Sequence, residues 1–178
     1  MKKLILLIFI LFSSMGLSQD MVLELNKITE DKFSLDGVVS DQEIYQAKIL
    51  EVIYEETPSF NTMPSQETFG YFTYSDKFLY VGIKAKRSKV IAPLTTRDNR
   101  AIWRGDFTGI QFDTYGDARN VIILNSNPSG SQSDAIRLPG IGYGGGPSVN
   151  SDVNFDFKSA GRITPVSYTH LRAHETSA

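Results

Sequence analysis

The residues best suited to chemistry in this chain lie between Arg97 and Asp134, in RDNRAIWRGDFTGIQFDTYGDARNVIILNSNPSGSQSD. Five aspartates and the only tryptophan of the 178 residues fall within it. Two carboxylates facing one another could cleave a glycosidic bond, one as acid and the other as base or nucleophile. Asp98, Asp106, Asp113 and Asp117 are the candidates. The same residue type also closes turns and caps helices, which is its commoner use. Hard oxygen ligands such as Asp98 and Asp106 would suit calcium as well, although the spacing matches no calcium loop. Trp103 stands between Arg100, Arg104 and Asp106. Buried, its indole would pack a core. Exposed, it would offer a flat apolar face to the C–H side of a pyranose, while polar neighbours meet the hydroxyls. Tyr115 and Tyr143, both in glycine-flanked turns, are lesser stacking candidates.

Strands must position these side chains. Phe107 to Thr114 alternates, with Phe107, Gly109, Gln111 and Asp113 on one face and Thr108, Ile110, Phe112 and Thr114 on the other. Val121 to Leu124 is a β-branched apolar run, and Asn125 to Gly130 supplies turn formers after it, so the segment reads as a hairpin. Upstream, Thr68 to Tyr74 and Phe78 to Lys84 are joined by Ser75-Asp76-Lys77, a second hairpin. Aromatics on both faces of that pair place it inside a sandwich. Lys32 to Asp36, Ile49 to Tyr54, Val90 to Leu94 and the start at Asn154 to Phe157 are further strand expectations. Asp41 to Lys48 allows one or two helical turns, and Glu56 to Ser65 and Gly140 to Gly146 read as loops. Short strands without amphipathic helices predict an all-β fold, an antiparallel β-sandwich.

The two ends differ from this domain. Lys2 and Lys3 followed by the apolar run Leu4 to Phe12 form an export signal over 1–18, with Gly16 and Ser18 before a cut that leaves Gln19. Export to the periplasm, outer membrane or beyond is expected, with no membrane-spanning segment once the signal is removed. At the other end, PVSYTHLRAHETSA shows neither strand period nor turn logic, and it resembles a translated sequencing adapter. Residues 166–178 are therefore expected to be non-native, which leaves 19–165 as one domain, truncated at its C-terminus. Both histidines, His170 and His174, lie in that tail, and the chain has no cysteine. Without them, Ser-His-Asp, Cys-His and His-ligated zinc chemistry have no residues to work with. Setting aside Lys2, Lys3, Arg172 and Glu175 leaves 15 basic against 19 acidic residues. That balance argues against nucleic acid as a partner.

Three blocks carry a likeness. FSLDGVVSDQEIYQA, TFGYFTYSDKFLYVGIKA and the Arg97 to Asp134 stretch, in that order, resemble the family 9 carbohydrate-binding modules, in the version that begins large exported Bacteroidota proteins with a following β-barrel domain. The resemblance spans Lys32 to Phe157, with Tyr45 where the family usually has Trp. It implies a jelly-roll-like β-sandwich, a link to polysaccharide catabolism and often bound calcium. Sugar-binding members hold their ligand between two Trp rings, whereas this chain has one. The leading expectation is a non-catalytic module for polysaccharide or oligosaccharide. Trp103 would be the stacking surface, Tyr115 or Tyr143 a second wall, Arg97 and Asn127 polar contacts, and Asp98 and Asp106 ion ligands. A structural domain packing on a missing C-terminal domain of the same chain is the second reading, and predicts a buried Trp103. A glycoside hydrolase acting through paired Asp is the third.

Overall fold

A serine turn sets the centre of the first sheet. In the computed structural model, which describes residues 23–29, 33–55, 60–116, 119–141, 147–151, 153–164 and 168–176, the Ser75 hydroxyl accepts the amide hydrogens of Lys77 and Phe78. The Ser75 N–H donates to the Phe78 carbonyl and closes the turn. Around it, β1 (Lys48–Glu51), β2 (Thr68–Tyr74) and β3 (Phe78–Lys86) pair antiparallel. With β8 (Phe157–Ile163) and β9 (Tyr168–Thr176) they form a five-stranded sheet in the order β1-β2-β3-β9-β8. The second sheet is a simple meander of β4 (Thr108–Asp113), β5 (Val121–Ser126), β6 (Gln132–Ile141) and β7 (Pro147–Asn150). The architecture is an all-β antiparallel sandwich. Val81, Ile83 and Phe157 of one sheet face Ile110, Leu124 and Ser126 of the other across a gap of only about 10 Å3.

The other face of the first sheet is covered too, as the aromatics on both sides of β2 require. Helix α1 (Asp41–Gln46) is a six-residue element that would not persist alone. A capping box holds it: the Ser40 hydroxyl accepts from the Glu43 amide, and the Glu43 carboxylate takes the Ser40 N–H at 2.8 Å. The same carboxylate accepts the Ser34 N–H. Beside it, buried Val39 lies against Gly82, where an added Cβ would come within 2.8 Å of the valine.

Four expectations from the sequence are corrected. No strand forms over Lys32 to Asp36 within its described part, because the Ser34 N–H serves the Glu43 cap. Val90 to Leu94 is irregular as well. Its backbone is taken by distant side chains: the Ile91 N–H by Asp106, the Ala92 carbonyl by Ser129 and the Pro93 carbonyl by Asn127. Strand β6, unforeseen, runs on into Pro139 and Gly140, where the pairing with β7 shifts register. Residues 168–176, whose sequence shows no strand period, form β9, with Leu171 and Ala173 in register with Ile83 and Val81. Backbone ladders ask little of side-chain type, so a run without alternation can still fill a gap between two strands.

One ion pair locks the sheets and a long loop together. Asp134, on the inward side of β6, has a side chain with no exposed surface. Its Oδ1 accepts Nε and Nη2 of Arg97 at 3.0 and 2.8 Å, and its Oδ2 accepts the Phe155 N–H at 2.7 Å. Arg97 Nη2 also reaches the Phe155 carbonyl, and the guanidinium lies 5.1 Å from the centre of the Phe157 ring. Removing one partner would strand a buried charge. Arg97→Met is therefore expected to lower unfolding free energy by about 3–5 kcal/mol, read from urea midpoints. A loss below about 1 kcal/mol would contradict this role.

Candidate functional site

The strand β4 alternates as its sequence predicts. Thr108, Ile110 and Phe112 turn toward the other sheet, while Gly109, Gln111 and Asp113 are exposed. Phe107 has the parity of the exposed set, so Phe107, Gly109, Gln111 and Asp113 form a column along an edge strand. Gly109 stands opposite Asn125, and Asn125 opposite Ser133. Asn125 and Ser133 are both buried. A Cβ at position 109 would collide with the Asn125 carboxamide oxygen, so the bare glycine is what lets Asn125 lie there.

Trp103 heads the column. It belongs to a short 3-10 helix, Arg100–Arg104, anchored by the fully buried Ile102. The helix starts because Asp98 adopts a left-handed φ of 57° and the Asn99 side chain accepts the Ala101 N–H. It ends at Gly105, which has no room for a side chain because the Ile91 carbonyl is against it. The indole packs edge-on to Phe107, with ring centres 4.7 Å apart and planes at 82°. Trp103 nevertheless keeps 49% of its surface exposed. Arg100 and Arg104 on the same helix are exposed too.

The aspartates hold this arrangement in place. Asp106 Oδ1 accepts two N–H groups of Arg87, and its Oδ2 accepts the Ile91 N–H at 2.8 Å. Asp98 Oδ1 accepts the Asp134 N–H at 2.9 Å. Asp98 and Asp106 therefore serve different partners and make no shared ligand set. Among the described residues, no group of three or more His, Cys, Asp or Glu side chains converges to hold a metal. Each carboxylate of the pair expected to bind calcium already has a guanidinium against it, Arg87 on Asp106 and Arg97 beside Asp98.

The other expected contacts separate in space. Arg97 is spent on Asp134 and Phe155. Asn127 is 0% exposed, and its Oδ1 accepts the Ser129 and Ser131 N–H groups while its Nδ2 donates to Pro93. It organises a turn and offers a ligand no surface. Tyr115 is 78% exposed but follows β4, whereas Trp103 precedes it. A six-residue strand spans about 20 Å, so these rings cannot clasp one sugar. Tyr143 lies outside the described residues. Phe107, Gly109 and Gln111 are not among the residues expected from the sequence to bind, although the β4 alternation already sets them on one exposed face.

Two measurements follow. As the only tryptophan, Trp103 should be quenched by acrylamide to a degree between a buried and a free indole, and a fully protected indole would contradict the half-exposed setting. Gly109→Ala should cost about 1–3 kcal/mol in denaturant melts, because Asn125 must move. A neutral result would mean that Asn125 has room elsewhere.

No family model matches the chain, and no curated protein matches it in sequence. Solved structures do resemble it. A candidate carbohydrate-binding protein from Bacteroides uniformis ATCC 8492 superposes with a TM-score of 0.61 at 12% identity, over 86% of this chain and 72% of that one. A family 9 carbohydrate-binding module from Caldicellulosiruptor kristjanssonii, solved in complex with cellotriose, gives 0.53 at 13% identity, over 87% of this chain and 69% of that one. At such identities the likeness is one of fold: this chain shares the two-sheet architecture of those structures.

Proposed function

We propose that this domain is a non-catalytic carbohydrate-binding module of an exported protein serving polysaccharide breakdown. The observation that carries the reading is the half-exposed indole of Trp103 at the head of the Phe107–Gly109–Gln111 column, on a fold shared with a module solved with cellotriose. In this reading the sugar's apolar face lies on Trp103 with Phe107 beside it. Its hydroxyls meet the Gln111 carboxamide and the exposed strand backbone at Gly109. The rigid edge strand sets the spacing, and the arginine and aspartate pairs behind it keep the rings in place. Residues 1–18 supply the export address, and a longer parent chain would carry the catalytic work.

A purely structural domain would bury its indole, and the exposure of Trp103 speaks against that alternative. Among the described residues no helix is long and apolar enough to cross a membrane.

Calorimetric titration with cellotriose and xylotriose tests the reading. Binding in the millimolar range or tighter is expected, and Trp103→Ala should weaken it at least about tenfold while circular dichroism shows the variant still folded at the titration temperature. A folded sample that binds neither sugar would remove the proposal.

A further inference from the structure

We infer that the Trp103 end of the β4 column is built for an anionic sugar, a pyranose carrying a carboxylate or a sulfate ester beside its ring. The inference deepens the carbohydrate reading above and rests on it.

The distribution of arginines points there. Arg87 is paired with Asp106 and Arg97 with Asp134. Both pairs hold the loop that carries the 3-10 helix. Arg100 and Arg104, at the two ends of that helix, are exposed, and among the described residues neither has a carboxylate partner. The chain as a whole has more acidic than basic residues, with a net charge of −2, so two unneutralised guanidinium groups flanking its one indole are a local inversion of charge.

Helix geometry aims one of them. In a 3-10 helix, residues three apart lie on the same side, about 6 Å along the axis. Arg100 and Trp103 are so related, and Ile102 between them is turned wholly into the core. A pyranose resting on the indole would carry its C5 substituent, or an ester on C6, at the ring edge. Those are the positions a guanidinium beside Trp103 can reach, and it can meet a carboxylate or sulfate with two parallel hydrogen bonds. Arg104, one residue on and so turned about 120° around the helix from Trp103, adds a second exposed positive charge at the end of the same short helix. A neutral glucan would use the indole and leave both cations idle.

Calorimetry on the full chain with three probes tests this: cellotriose, trigalacturonate and 6-O-sulfated cellotriose, each at about 20 mM and about 500 mM salt. At low salt at least one anionic probe should bind about tenfold tighter than cellotriose, and the gain should vanish at high salt. Which anionic probe gains tells carboxylate from sulfate. The double variant R100Q/R104Q, with both changes on the surface, should melt like the parent and keep its affinity for cellotriose while losing the anionic preference. Equal affinity for neutral and charged probes, or a preference that survives R100Q/R104Q, would overturn the inference and leave the carbohydrate reading intact. Binding of none of the three probes would remove both.

Discussion

The salt bridge between Arg97 and Asp134 is the constraint on which the rest of this structure depends. Asp134 sits on the inward side of β6, where an unpaired carboxylate would be costly. Its four engagements come from three places: the Arg97 guanidinium, the Phe155 amide ahead of β8, and the Asp98 carboxylate that takes the Asp134 amide. Together they fix where the loop after Val90 leaves the sandwich. That exit point decides where the 3-10 helix, and hence Trp103, can lie. In the proposed reading, stability and recognition are thus joined through one buried charge pair, though different residues carry them.

This division of labour explains why residue type alone misleads at the rim. Arg97 and Arg100 are three residues apart, and so could be interchanged in a reading of composition. One is engaged with an aspartate 37 positions away, the other faces solvent. Asn127 and Gln111 are both carboxamides, yet Asn127 is enclosed by Pro93 and by its own turn. Long-range partners of this kind leave no local signature.

Local signals, by contrast, were well written in the chain. The Ser75 turn, the alternation of β4 and the apolar run of β5 each specify an element over fewer than ten residues, and each formed as expected. The spacing of Ser40 and Glu43 marks a capping box, and it explains how so short a helix stands. Strand β6 was hidden by Pro139 and Gly140, residues that ordinarily end a strand but here fall at a register shift. Val90 to Leu94 looked like a strand because its apolar pattern is local, while the groups that take its backbone are not. Strand β9 shows the opposite case: pairing with two neighbours can impose extension on a run whose own pattern does not ask for it.

The central claim is that ligand contact is made at the Trp103 head of β4 and at neither the Tyr115 end nor the helix-covered face. Two-dimensional nitrogen-proton NMR during a cellotriose titration tests it most directly, because the single indole N–H gives one unambiguous signal. The account predicts that this signal and the Gly109 and Gln111 amides move together and saturate at the same ligand concentration. Shifts gathered around Tyr115 and Val149, with an unmoved indole, would contradict it.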